Sequence, residues 1–305
     1  MSPSYVSAVD VMSAWQDDLR SGKPPTLYPV ADPGSPLADM EIGPGLVTLF
    51  GGPPGAGKTA LIMQLVVDVL RLTPNLKALV ANVEMSPSAL LDRQFARLSG
   101  IDLHTVRHRK LHTEHTQRID TGIATLASIT SRLAFARSPW TVDNVARSAD
   151  AVEADLIVMD YAQRFTPPGE HANKKTAVDA VMEYVRGMAD CGVAVLVVAA
   201  VGRQRDDKGR SGYGGLSLAS FRESSELEYG ADDAFLLVPE NADRPGAITL
   251  KHAKSRHGEP KDIPLRFTGS VQRFDAVHNR PVKGKLTTAV SDLWTDSRDT
   301  QEGQR

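Results

Sequence analysis

Gly52-Pro53-Pro54-Gly55-Ala56-Gly57-Lys58-Thr59 fits the pattern G-x-x-x-x-G-K-[ST] at every fixed position. Before it, Leu46-Val47-Thr48-Leu49-Phe50 reads as a strand, and after it Ala60 to Val67 reads as a helix. Glycines let backbone N–H groups turn toward phosphate oxygens, and the helix start adds a positive dipole. Lys58 can then reach the outer phosphates, and Thr59 can ligate Mg²⁺. A chance glycine-rich turn would need neither these flanks nor the partner aspartate found downstream. The stretch therefore predicts a nucleoside-triphosphate loop in an α/β fold.

The totals bound the remaining choices. At 305 residues the chain has room for about two domains, or for one α/β domain with extensions. Lys and Arg total 35 against 37 Asp and Glu, so nucleic-acid binding would have to come from local clusters. The single cysteine, Cys191, rules out an internal disulfide framework, fits a reducing compartment and reads as a helix-end packing residue. The first twenty residues lack a basic region followed by an apolar core, and no run approaches the roughly 18 apolar residues that span a bilayer. A soluble, cytoplasmic protein is expected.

From Ser7 to Leu19, Val11, Met12, Trp15 and Leu19 share one helical face. A proline- and glycine-punctuated stretch follows to Gly45, so this helix is tethered to the core rather than continuous with it. It suits packing on its own subunit or on a neighbour equally. Lys77 to Val83 reads as a second strand, with Glu84 at its tip. Ser86 suits an N-cap, Pro87 the first helical position and Gly100 the end of the helix that follows. Glu84 thus falls where open parallel sheets bind ligands, suiting it to activate water or to make an ordinary salt bridge or cap.

Ile101 to Arg137 reads as mostly helical, with His104, His108, His112 and His115 at spacings of four, four and three. Arg107, Arg109, Lys110 and Arg118 crowd the same stretch and disfavour a second cation, so no metal is assigned there. Trp140-Thr141-Val142 reads as a short strand before a helix opened by Asp143-Asn144. Asp155 to Asp160 is an apolar run ending in an acid, the pattern of a strand buried on both faces. Asp160 is the expected partner of Thr59 in holding Mg²⁺. Val193 to Val201 reads as another buried strand, leading into a loop that carries Arg203, Gln204, Arg205, Lys208, Arg210 and Tyr213. Arginines for phosphates and a tyrosine for stacking suit a loop that tracks single-stranded DNA, although a solvated surface loop has the same composition. Asp233 to Val238, Ala247 to His252 and Ile263 to Phe267 read as the last strands, before a polar tail expected to be disordered.

Four blocks, in this order, resemble the RecA-like motor domain of DnaB-type hexameric replicative helicases. They are Gly52 to Thr59; Val83-Glu84-Met85-Ser86 with Leu90 and Arg93; Leu156 to Gln163, ending Asp-Tyr-x-Gln; and Phe221-Arg222-Glu223-Ser224 through Glu228 to Asp232 and on to Ala253-Lys254-Ser255-Arg256-His257-Gly258. The resemblance implies a RecA-like P-loop NTPase core, ATP and Mg²⁺ as cofactors, and an ATP-hydrolysing, ring-forming helicase acting on single-stranded DNA in replication. By it, residues 1–42 form a linker helix and connector, 43–282 the motor and 283–305 the tail. Gly52, Pro53, Pro54, Gly55, Ala56, Gly57, Lys58 and Thr59 would bind nucleotide; Thr59 and Asp160 would hold Mg²⁺; Glu84 would be the base for hydrolytic water. Lys254 and Arg256 would enter a neighbour's nucleotide site, which implies a homo-oligomer, most simply a hexamer, with the amino-terminal helix docked on the adjacent subunit. Gln163, Gln204 and Arg222 would couple nucleotide to the loop of Arg203, Arg205, Lys208, Arg210 and Tyr213.

Two departures qualify the resemblance. About forty residues precede the motor, so the amino-terminal domain through which such helicases engage primase is not expected, pointing to another replication or loading partner and to a phage or mobile replicon. The family's glutamine after the strand at Val193 to Val201 is out of register: Gln204 lies about three residues later and Val201 takes the aligned place. A RecA-like regulatory or loading ATPase, which assembles with a partner and unwinds nothing, is the rival expectation.

Overall fold

The computed structural model describes residues 5–202, 204–205, 211–212, 216–221, 225–240 and 245–277. Its elements run α1 (Ala8–Ser21), β1 (Val47–Gly51), α2 (Lys58–Leu72), β2 (Ala78–Asn82), α3 (Pro87–Ser99), α4 (Leu103–Arg107), α5 (Thr116–Ala127), β3 (Leu133–Phe135), α6 (Val142–Val152) and β4 (Leu156–Asp160). They continue with α7 (Lys174–Asp190), β5 (Ala194–Val198), β6 (Gln204–Arg205), β7 (Ser211–Gly212), α8 (Ser225–Gly230), β8 (Asp233–Pro239), β9 (Ala247–Ser255), β10 (Ile263–Thr268) and β11 (Arg273–Ala276). Nine strands form one sheet in the order β11-β10-β9-β8-β1-β5-β4-β2-β3, while β6 and β7 pair separately. From β8 to β3 all neighbours are parallel. Antiparallel β9, β10 and β11 extend the other edge.

The parallel strands are apolar throughout because both faces are covered. On one face Phe50, Val80, Val158 and Leu196 pack under α2, whose residues from Ala60 to Val67 are all buried. On the other, Leu49, Leu79, Ile157 and Val197 pack under α6 and α7. This sandwich brings the carboxyl ends of β1, β2, β4 and β5 to one edge, where the phosphate loop turns back into α2.

Several boundaries depart from the sequence reading. Trp140-Thr141-Val142 is not a strand: Thr141 caps α6, Val142 opens it, and Thr141 makes only an isolated bridge to Thr166. Ile101 to Arg137 is not continuously helical either, because α4 and α5 are short and Leu133–Phe135 pairs with β2 as the sheet's edge. A polar, histidine-rich stretch masked that three-residue strand. Cys191 caps the end of α7 but is exposed rather than packed. Ser86, Pro87 and Gly100 do occupy the cap, first-turn and left-handed terminal positions of α3. The tail from Lys283 lies outside the described residues.

The sequence also hid β11, which completes the site's floor. Buried Gln64 on α2 clasps its backbone: Nε2 donates to the Phe274 carbonyl (2.8 Å) and Oε1 accepts from the Phe274 N–H (2.9 Å). Phe274 stacks on Phe267 with centroids 4.4 Å apart, beneath the phosphate loop. Gly57 has φ +90°, and a Cβ there would come within 2.8 Å of the Phe274 ring. Replacing Gln64 with Leu leaves both backbone groups of Phe274 without partners in the core. Unfolding free energy should fall by about 2 kcal/mol in a denaturant titration.

Candidate functional site

A cleft of about 490 Å³ opens at that sheet edge, lined by the phosphate loop, Glu84, Arg93, Asp160, Ala200, Phe267 and Gln272 among others. The loop's shape requires glycine at Gly55 and Gly57, whose φ values are +82° and +90°. Lys58 Nζ folds across the loop and donates to the carbonyls of Gly52 (2.7 Å) and Pro53 (3.1 Å). Burial lowers the Lys58 pKa, and nearby Asp160 and Glu84 oppose that shift. A partly desolvated ammonium gains from an arriving anion.

Opposite it, Thr59 Oγ1 donates to Asp160 Oδ2 at 2.7 Å. Asn82 Nδ2 donates to the same oxygen at 2.8 Å, because β2 and β4 pair with Asn82 beside Asp160. Burial raises the Asp160 pKa, with the Thr59 hydroxyl working against it. A hydroxyl and a carboxylate sharing a contact make an oxygen donor pair of the kind hard cations select. The residues present thus fit Mg²⁺. Among the described residues no group of three or more His, Cys, Asp and Glu side chains could hold a metal on its own. His104 and His108 do lie side by side at the exposed end of α4, their rings 4.3 Å apart and tilted by 46°.

Two contributors carried no role in the sequence reading. Asn82 Oδ1 accepts the N–H groups of Glu84 (3.0 Å) and Met85 (2.7 Å), so one side chain orients both the Asp160 carboxylate and the segment bearing Glu84. An Asn at a strand tip followed by a cap is the usable signal for such a turn. Arg93, on α3, faces the cleft, and its pKa is lowered chiefly by burial and further by Arg107. Its position nine residues after Glu84 puts it over the same opening.

Gln163 joins β4 to β5. Its Nε2 donates to the Ala200 carbonyl (3.2 Å) and its Oε1 accepts from the Ala200 N–H (3.1 Å). Ala200 lines the cleft, whereas Val201 is buried in the apolar layer beneath. Lys254 and Arg256 are not brought to this cleft. They lie at and just beyond the end of β9, beside the start of β8, at the sheet edge opposite the phosphate loop. Lys254 Nζ donates to the carbonyls of Glu228 (2.6 Å), Ala231 (2.7 Å) and Tyr229 (3.3 Å), tying down the end of α8. Arg203, Lys208, Arg210, Tyr213 and Arg222 lie outside the described residues, as do the side chains of Gln204 and Arg205.

The family follows from comparison. A family model, DnaB-like helicase C terminal domain, matches residues 42–276. This chain belongs to that family. Among solved structures it is similar to one described as an "ATPase Domain", with TM-score 0.77 and 16% identity over 90% of this chain and 100% of that one. It is also similar to "The Structure Of A DnaB-Like Replicative Helicase And Its Interactions With Primase", with TM-score 0.75 and 16% identity over 90% of this chain and 68% of that one. At such identity the structures show the fold, a RecA-like ATPase core. No match was found among curated proteins. None of the helices among the described residues is long and apolar enough to cross a membrane.

Asn82→Ala tests the turn. It removes the acceptor for two N–H groups and one donor to Asp160, so ATP hydrolysis should fall about tenfold while the thermal transition shifts by only a few degrees. Steady-state hydrolysis and a thermal melt check both.

Proposed function

We propose that the chain is an ATP-hydrolysing motor of a ring-forming helicase that moves on single-stranded DNA. The observation that carries this reading is the convergence of Lys58, Thr59, Asp160, Glu84 and Arg93 on one cleft at the phosphate-loop edge. In it the loop from Gly52 to Thr59 and Lys58 hold the phosphates, and Arg93 adds charge from the facing helix. Thr59 and Asp160 hold Mg²⁺, which when bound neutralises charge on the phosphate oxygens. Glu84, anchored through Asn82, accepts the proton of the attacking water.

Lys254 and Arg256 act on a neighbour. A five-residue β1 separates the two sheet edges by roughly 13 Å before any loop is counted, which keeps Arg256 from its own cleft. Exchange between subunits also accounts for α1. Ser7 and Gly22 cap the helix at its two ends, yet none of its residues is buried. Its stripe of Val11, Met12, Trp15 and Leu19 stands exposed, as a helix docking on an adjacent subunit would before assembly. Residues 1–42 are then the linker and connector, and the basic loop around Arg203 to Tyr213 tracks the strand.

A second reading, a loading or regulatory ATPase, draws on one observation. Where the resemblance leads one to expect a glutamine, Val201 is buried in the apolar layer and Ala200 faces the cleft. Steady-state ATP hydrolysis with and without single-stranded DNA, with Lys58→Ala as control, separates the two. Stimulation of tenfold or more that disappears in the control is expected. Control-sensitive hydrolysis indifferent to DNA would favour the loading ATPase.

Arg256→Ala should lower hydrolysis about a thousandfold with little effect on nucleotide binding. Mixed with Glu84→Ala subunits, it should regain activity where a Glu84→Ala subunit lends its arginine to an intact cleft. A confirmed mixed oligomer without recovery would remove the finger from the proposal.

A further inference from the structure

We propose that Asp232 is a positioning residue that holds Arg256 ready for the neighbouring subunit's cleft; the proposal rests on the trans role of Arg256 given above. Asp232 sits between α8 and β8 and is 3% exposed. Its Oδ2 accepts the Val47 N–H at 2.8 Å and Arg186 Nη1 at 2.8 Å. Its Oδ1 meets Arg256 Nη1 at 2.8 Å. One carboxylate oxygen is thus fixed by the scaffold, at the start of β1 and on α7, while the other holds Arg256. Arg186 is itself braced by Asp190 (2.9 Å) and by the Gly45 carbonyl.

This division of labour fits a mount better than a plain buried ion pair. Arg256 Nη2 also donates to the Tyr229 carbonyl at 3.2 Å, so the guanidinium is held by one ion pair and one hydrogen bond among the described residues. The side chain remains 45% exposed. Most of the rotational freedom of a long side chain is already removed before assembly, and the outward face of the fork is left to meet an anion. A carboxylate in the core that served stability alone would have no need of a half-exposed partner, because Val47 and Arg186 already compensate its charge.

The mount is shared with Lys254. The Tyr229 carbonyl at the end of α8 receives both Lys254 and Arg256, so one backbone oxygen sets the spacing of the two cations.

Asp232→Asn tests this in the assembled protein. It keeps the shape and an acceptor for Val47 but removes the charge that holds Arg256. In the homo-oligomer kcat should fall about tenfold while KM for ATP stays within twofold, since each cleft is intact. In one-to-one mixtures with Glu84→Ala subunits, confirmed by native mass spectrometry, total hydrolysis should rise above that of the Asp232→Asn parent alone, because a Glu84→Ala subunit presents a properly held Arg256. Damage to the fold would cripple the variant's own cleft and give no rise. Asp232→Glu, which retains the charge and displaces it by one methylene, gives the same readout if the Asn variant does not assemble. Wild-type kcat, or a flat mixture while Arg256→Ala with Glu84→Ala recovers, overturns the positioning role alone. If that reference mixture is also flat, the trans reading falls and this proposal falls with it.

Discussion

The site depends on one carboxylate oxygen, Asp160 Oδ2, which accepts hydrogen bonds from both Thr59 and Asn82. Three segments distant in sequence meet there: the first turn of α2, the tip of β2 and the tip of β4. A buried carboxylate is tolerated only if its lost hydration is replaced. Parallel register supplies the replacement, because pairing β2 with β4 leaves Asn82 and Asp160 side by side at the strands' ends. Moving Thr59 or Asn82 away from this contact would leave the Asp160 carboxylate short of a donor. The apolar strands behind it set the depth of the carboxylate, and the phosphate loop sets the hydroxyl that meets it.

Electrostatics divide the molecule into two working edges. At the carboxyl ends of the parallel strands, Lys58 and Arg93 face Asp160 and Glu84, a balanced arrangement that can receive phosphate and cation together. The opposite edge holds a second balance, in which Arg186 and Arg256 share Asp232. Acid and base therefore lie on both edges, but the phosphate loop lines the cleft at the first. Under the proposed function that geometry makes the domain directional, with nucleotide received at one edge and Arg256 offered from the other.

Much of this was legible in the chain. The phosphate loop, α3 with its caps and the strand ending at Asp160 announce themselves because each combines a period with a punctuating residue. Asn82 was missed because its work is done by a short side chain whose value lies in what β4 brings beside it. The edge strand Leu133–Phe135 escaped because three residues are too few for any period to show. Arg256 was found only through its resemblance to a family pattern. Its partner Asp232 was invisible as such, since an ion pair across 24 residues leaves no spacing rule. Gly57 shows the same limit: the motif demands glycine for the cradle, yet the packing of Phe274 against it is a separate constraint that no local pattern contains.

The Gln64–Phe274 clasp, 210 residues apart in sequence, joins nearly the first helix of the domain to its last strand. A ribosome adds residues in order, so α2 and the phosphate loop emerge long before the ring that packs beneath Gly57. During most of synthesis the loop would have its sequence but no floor, and tight nucleotide binding would have to wait for the final strand to arrive. The last of the described strands thus ties completion of the loop's floor to completion of nearly the whole domain.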